Sequence, residues 1–387
     1  MRATRRPRVC WIATTPFQFN AFLRPHVSAI SKHHDLTLAL NLNDGYALES
    51  PPAVQMVGVP IERRISPLRD IAALIALFRL LTQGRFDAVH SSAPKAGLIR
   101  MLAAWLARVP VRVHSFQGEV WASRRGLMRG LLKAADWFTA RLATHVLVVG
   151  KGERAFLEQE SVLPKGLGIV LGDGSIAGID TDRFRPNAAI RAAIRAELGV
   201  KDADVLLLFL GRLVRDKGVL DLAAAFALAH GRNPDLALVF VGPDEQGITA
   251  DIRSAAGAAG GRVRFVGYTQ RPEEYLAASD AVCLPSYREG FSTVTLEAGA
   301  CEVPALASRI YGTEGSIVDG ETGRYLPAAD PRAWANAIVE IASDPVRRSR
   351  WGKAARAHVL ERFRAERVVM EMQKFYEHAL APRNVGG

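Results

Sequence analysis

The chain has 387 residues, 49% hydrophobic and 23% charged, with a formal net charge of +11, a size and balance that predict two enzyme-like domains of roughly 150 to 200 residues, each able to bury its own core. The longest apolar stretches, such as 71 to 78, are broken by Arg79 well short of the roughly 20 residues a membrane-spanning helix needs, and the basic N-terminus (Arg2, Arg5, Arg6, Arg8) is not followed by the apolar core of an export signal. Three scattered cysteines, Cys10, Cys283 and Cys301, lack metal-ligand spacing and suit a reducing cytoplasm, with buried packing as their role.

In chain order, short β-branched runs alternate with longer amphipathic ones. Strands are predicted at 8–13, 35–42, 86–90, 111–115, 145–149 and 167–171, with helices at 17–32, 68–82, 95–107 and 126–142. After a turn-rich passage at 172–186 the alternation restarts. Strands are predicted at 204–210, 236–241, 262–267, 280–284 and 303–307, with helices at 217–230, 246–259, 272–278 and 293–300. A last helix at 365–379 is expected to pack back onto the first domain. The fold class is therefore α/β, with two Rossmann-like parallel domains, 1–185 (completed by 365–387) and 186–364. Ligands of open parallel sheets bind beyond the carboxyl ends of the strands, so a cleft between facing edges is expected.

The charge is uneven: residues 1–180 hold 23 Lys and Arg against 13 Asp and Glu. Its sharpest concentration runs from Arg124, Arg125 and Arg129 through Lys133 to Arg141, interleaved with Leu127, Leu131, Trp137 and Phe138. Two readings fit this pattern: an interfacial helix facing an anionic membrane, or a buried helix with a solvated basic face. Nucleic-acid signatures are missing from the sequence.

The segment Tyr287-Arg-Glu-Gly-Phe-Ser-Thr-Val-Thr-Leu-Glu297 is the most informative in the chain. Gly290 permits unusual backbone angles and Ser292 is a good N-cap, so Glu289 and Glu297 flank a predicted helix start. Free N–H groups and the dipole at such a start attract phosphate, while carboxylates suit neutral hydroxyls. A sugar phosphate meets both demands. Arg212 and Lys217 follow the strand ending at Leu210 and reach the same sheet edge, two cations where a diphosphate needs neutralising. A glycosidase would hold its two carboxylates roughly 5 to 9.5 Å apart. Continuous helix would separate Glu289 and Glu297 by about 12 Å, and hydrolysis has no use for the phosphate-binding groups. The dinucleotide-like run Gly172-Asp-Gly174-Ser-Ile-Ala177 leads into a connector and not into the helix a pyrophosphate would need.

Gly211-Arg-Leu-Val-Arg-Asp-Lys-Gly218, Pro285-Ser-Tyr-Arg-Glu-Gly-Phe291 and Asp319-Gly-Glu-Thr-Gly323 together resemble glycosyltransferase family 4, whose members have the GT-B fold. Weaker likenesses at His90–Gly97, Val113–Gly118 and Gly172–Asp180 resemble the bacterial subgroup that builds capsule, O-antigen and protein-glycan precursors on polyprenyl carriers. The resemblance implies a retaining hexosyl- or N-acetylhexosaminyltransferase using a UDP-sugar and no metal cofactor. It implies that Glu297 clasps the ribose, Glu289 holds the transferred sugar, and Arg212, Lys217 and the backbone from Gly290 through Phe291 and Ser292 to Thr293 surround the diphosphate. Gly267 and Tyr268 would receive the base, His114 would lie near the sugar, and His90 and Lys95 would face the acceptor. The implied acceptor is a lipid-linked saccharide at the inner face of the cytoplasmic membrane. Ala177 and the glycine-poor loop 14–20 depart from the family pattern. The alternative is a catalytically silent GT-B protein that binds nucleotide or membrane in a glycan-assembly complex.

Overall fold

The computed structural model describes residues 5–42, 48, 54–61, 66–92 and 97–381; Arg2, Lys95 and the last six residues lie outside them. The chain forms two compact units, Met1–Ala177 with Ala365–Gly387, and Gly178–Arg364.

The first unit runs β1 (Arg8–Ile12), α1 (Pro16–Gln18), α2 (Arg24–Ile30), β2 (Asp35–Leu40), β3 (Gln55–Gly58), α3 (Pro67–Gly84), β4 (Ala88–Ser92), α4 (Gly97–Leu106), β5 (Val111–Phe116), α5 (Gly126–Leu142), β6 (His145–Val148), α6 (Lys151–Gln159) and β7 (Gly168–Val170). Its sheet has the order β3-β2-β1-β4-β5-β6-β7, and the pairings are parallel. Successive strand residues point to opposite faces, so β1 supplies two cores at once. Val9 and Trp11 join Val27 and Ile30 of α2 and Met372, Phe375 and Tyr376 of the last helix. Cys10 and Ile12 join Ala73, Leu77 and Leu81 of α3 and Met101 and Ala104 of α4.

The second unit runs α7 (Ala188–Glu197), β8 (Val205–Leu210), α8 (Val219–His230), β9 (Leu236–Val241), α9 (Thr249–Ala256), β10 (Val263–Gly267), α10 (Pro272–Ala278), β11 (Ala281–Leu284), α11 (Thr293–Ala300), β12 (Ala305–Ser308), β13 (Gly323–Leu326), α12 (Pro331–Ser343) and α13 (Pro345–Arg362), before α14 (Ala365–Ala379) returns to the first. Its sheet order is β10-β9-β8-β11-β12-β13. Asn187, Ser292, Asp330 and Asp344 cap α7, α11, α12 and α13 with side-chain oxygens, satisfying amides that a helix start leaves unbonded. At the amino edge the buried guanidinium of Arg195 reaches Asp280 at 3.1 Å and the carbonyls of Lys201 and Asp204 at 2.7 and 2.5 Å. That pairing lets α7 carry a cation into the interior.

Residues 178–185, grouped with the first domain by sequence, pack on the second. Ile179 donates its amide to Phe363 O at 2.7 Å, and Arg183 bonds Glu273 and the Gln270 carbonyl, each at 2.9 Å. The strands β3 and β13 and the helices α6, α7, α12 and α13 are additions to the elements expected. Both added strands are four-residue edge strands with partly exposed residues, too short and too polar to stand out as apolar runs.

Three acids are enclosed beneath α5 and α6. Glu153 accepts from the Gly118 amide at 2.5 Å and the Val149 amide at 2.8 Å, and burial with Glu119 beside it holds its carboxyl well above the usual range. Asp136 accepts from Trp121 Nε1 at 2.7 Å, yet burial pushes it up to about 7 from an ordinary 3.8. A carboxyl raised on folding binds its proton more tightly in the folded state, so folding is favoured most below the unfolded value and loses that support as pH climbs to about 7. Asp136→Asn, which keeps an acceptor for Trp121, is expected to flatten the fall in melting temperature between pH 4 and 7, measured by circular dichroism. A slope equal to the parent's would remove Asp136 as its source.

Candidate active site

Strand order reverses in the second sheet between β8 and β11, so the connections leaving these two neighbours diverge to opposite sides and leave a crevice at their carboxyl ends. The loop after β8 carries Arg212 and Lys217, and the loop after β11 carries Glu289. Two glycines bring these loops together. Gly218 sits at φ +67, and a Cβ there would fall 2.1 Å from the Pro285 carbonyl oxygen. Gly312 faces Glu289 so closely that a Cβ would meet its carbonyl oxygen at 2.2 Å. Tyr287 fastens the seam: its amide donates to Asp216 O at 2.9 Å, and its hydroxyl donates to the Asp221 carboxylate in the first turn of α8. Neither Gly312 nor Tyr287 was singled out from sequence, because close backbone approach leaves no trace in local composition.

The result is an ion pair, Lys217 Nζ to Glu289 Oε1 at 2.6 Å, with side-chain exposures of 20% and 13%. Arg212 is also paired, with Glu245 at 2.7 Å, but at 52% and 39% exposure. Screening by water makes the second pair the weaker. Both predicted phosphate-binding cations are thus matched with carboxylates, and an incoming anion must compete for them.

Beside this pair begins α11. Ser292 Oγ accepts from the Thr295 amide at 3.4 Å, while the Ser292 amide donates to Gly312 O at 2.9 Å. Of the backbone donors expected around a diphosphate, that one is already engaged. Phe291 is buried against Phe363, ring centroids 5.9 Å apart, so it anchors the loop. Glu297 lies one turn further on, and burial pushes it up to about 7, opposed by the charge of Arg183 and reinforced by Glu273. Gly267, at φ +80, ends β10 and accepts the Gly242 amide at 2.7 Å; the adjoining Tyr268 is exposed. The predicted second-unit residues therefore share one sheet edge. A cavity of about 390 Å³ lined by Arg191, Asp280 and Pro304 opens at the amino ends instead, and its Arg191 is already bonded to Asp280.

In the first unit His114 is buried on β5, its Nδ1 2.7 Å from Ser91 Oγ. Burial, with the neighbouring Arg100 charge, drives it down to about 3, so the imidazole is neutral at any physiological pH. Arg100 is itself buried; it donates to Ser92 O at 2.5 Å and Thr14 Oγ1 at 2.8 Å, tying the ends of β1 and β4. His90 is fully enclosed: it stacks on Trp11 at 4.3 Å and reaches Tyr376 Oη at 2.8 Å and Ser115 Oγ at 2.7 Å.

Removing the cap by Ser292→Ala is expected to destabilise the second unit by about 1 kcal/mol. Gly312→Ala, which forces backbone to move, should cost more, and urea unfolding monitored by fluorescence measures both. Equal stability of Gly312→Ala and the parent would mean that the close approach does not matter.

The Glycosyl transferases group 1 family model matches residues 190–358 and the Glycosyl transferase 4-like domain model residues 28–172. The chain is 24% identical over 320 residues to the capsular polysaccharide biosynthesis glycosyltransferase CapM of Staphylococcus aureus, covering 82% of this chain and 83% of that one. It is 26% identical over 295 residues to the UDP-Gal:alpha-D-GlcNAc-diphosphoundecaprenol alpha-1,3-galactosyltransferase of Escherichia coli, covering 73% of each. The crystal structure of Anabaena HepE in complex with UDP and glucose superposes with a TM-score of 0.79 at 18% identity, covering 96% of this chain and 99% of that one. With both of its units matched and the paired parallel sheets in place, the chain belongs to glycosyltransferase family 4 and has the GT-B fold.

Proposed function

We propose that the chain is a retaining glycosyltransferase that moves a hexose or N-acetylhexosamine from a UDP-sugar to a polyprenyl-diphosphate-linked saccharide at the cytoplasmic face of the membrane. The observation that carries this reading is the meeting of Lys217, Glu289 and the capped start of α11 at the strand-order reversal. A cation and a helix dipole suit a diphosphate, and Glu289 and Glu297 suit hydroxyls. The donor named for the Escherichia coli relative and the ligands of the Anabaena structure support the choice of a UDP-sugar.

On this reading the donor diphosphate draws Lys217 from Glu289 and Arg212 from Glu245. Glu289, once released, accepts from the transferred sugar, while Glu297 accepts from the ribose and Gly267 and Tyr268 border the base. The acceptor oxygen bonds to the anomeric carbon on the face from which UDP departs, as the bond from that carbon to the phosphate oxygen breaks. The acceptor's proton passes to the departing phosphate, so neither glutamate serves as base. Arg212, Lys217 and the α11 dipole stabilise the charge that develops on the leaving group. Neutral His114 is assigned to the sugar and Lys95 to the acceptor side; His90, expected beside them, is instead a packing residue, fully buried with both ring nitrogens bonded.

Purified protein given a panel of UDP-sugars and a polyprenyl-diphosphate-linked acceptor is expected to form product, in EDTA as well. Silence across the panel would leave only a nucleotide-binding role. Glu297→Ala should weaken UDP binding at least about tenfold, the loss of one to two charge-assisted hydrogen bonds, while Glu289→Ala should mainly lower turnover. Unchanged affinity and turnover in both would overturn the site. Because Glu297 sits near pH 7 without ligand and the clasp needs its ionised form, UDP affinity should rise from pH 6 to 8. Calorimetry on Glu297→Gln should show that rise abolished.

A further inference from the structure

Helices α3, α4 and α5 lie side by side on one face of the first unit's sheet. α3 buries Ala73, Leu77 and Leu81 beneath it and turns Leu68, 83% exposed, together with Ile71, Ile75 and Phe78, to the outside. At 100° per residue these four positions fall within an arc of about 80°, a single apolar stripe. α5 does the same with Leu127, 80% exposed, and with Leu131 and Phe138. Between them, the end of α4 exposes Trp105 and Leu106. Contiguous apolar surface of this extent marks a contact site.

Among the described residues, the exposed charges around the stripes have one sign. Arg79, Arg108, Arg124, Arg125 and Arg141 are exposed on or beside these helices. The acids of the same stretch are withdrawn: Glu119 and Asp136 are buried, and Asp70 turns back to accept from the Ser66 amide at 3.2 Å. Arg129 and Lys133, which sequence placed in the basic patch, are both bonded to Glu160 at 2.7 Å. The free cationic rim is therefore displaced to the ends of α5 and extended across to α3. A second copy of this face would set arginine against arginine.

We infer that the three-helix face seats on an anionic bilayer, with the α3 stripe inserting alongside that of α5 and the arginines meeting lipid phosphates. Apolar residues on one side of a surface helix bury at the boundary of headgroups and acyl chains, Trp favours the same depth, and each nearby cation adds attraction to an anionic leaflet. The inference rests on the proposed lipid-linked acceptor only in so far as that reading makes a membrane partner natural. Vesicle binding is read without donor or transfer, so the two can fail separately.

Co-sedimentation of the full chain with phosphatidylcholine vesicles, with and without about a third phosphatidylglycerol, tests it. The parent should bind the anionic vesicles at least about tenfold more tightly than the neutral ones. Ile71→Ser/Ile75→Ser/Phe78→Ser and, separately, Arg124→Glu/Arg125→Glu should each lose about tenfold or more. Leu68→Glu, at a position that packs on almost nothing, is the companion variant whose fold is not at risk, and it should weaken binding with an unchanged melting temperature. Binding of both α3 variants equal to the parent's would confine the contact to α5 and overturn the inference. So would a parent that binds neither vesicle, or a dimer in light scattering that Leu68→Glu dissolves.

Discussion

A parallel sheet delivers its strand ends to one edge, and wherever the strand order reverses, two successive connections must leave in opposite directions. In the second unit that constraint falls between β8 and β11, and the chemistry of the chain follows from it. The connection to α8 goes one way and that to α11 the other, so the loops carrying Lys217 and Glu289 approach at their bases with nothing packed between them. Backbone then comes close enough at Gly218 and Gly312 that no side chain is admitted at either position. Tyr287 locks the arrangement from the β11 side. A cation, a carboxylate and a helix start are held together by topology before any ligand arrives.

The electrostatics of that meeting point are self-compensating. A half-buried lysine or glutamate alone would carry a desolvation cost, and each offsets the other's. Arg212 and Glu245 make a looser version of the same pair in water. Elsewhere the molecule handles buried ionisable groups differently. His114 is neutral beside the cation of Arg100, Asp136 is raised by enclosure, and Arg195 has a carboxylate inside with it. The charges at the sheet edge are instead left partly exposed and paired with one another.

Much of this was legible in the sequence. The apolar runs of β1, β2, β8 and β9 are buried on both faces, which makes them continuous and easy to recognise, and Ser292 announces α11 by its capping chemistry. The alternation of elements also placed Arg212, Lys217 and Glu289 at a common edge. The edge strands β3 and β13 escaped notice because a strand with one neighbour and a wet face needs no apolar run. Partners were less legible than positions. That Lys217 reaches Glu289, that Arg129 and Lys133 are spent on Glu160, and that His90 is sealed between Trp11 and Tyr376 all depend on contacts between residues far apart in the chain. The boundary near 178 was obscured for the same reason: the bonds of Ile179 and Arg183 to the second unit are made with residues some 90 to 180 positions away.

The return of α14 to the first unit bears on how the chain is made. Met372, Phe375 and Tyr376 fill the first unit's core, and Tyr376 closes the hydrogen bond to His90, so the first unit lacks part of its interior until α14 has been synthesised. The second unit is continuous from Gly178 to Arg364 and has no such dependence. Domains fold as units once their sequence is available, so the middle of this chain completes its structure before its beginning does. A truncation that removed α14 would be felt some 290 to 365 positions upstream, around His90 and Trp11, while the second unit's sheet would keep its core.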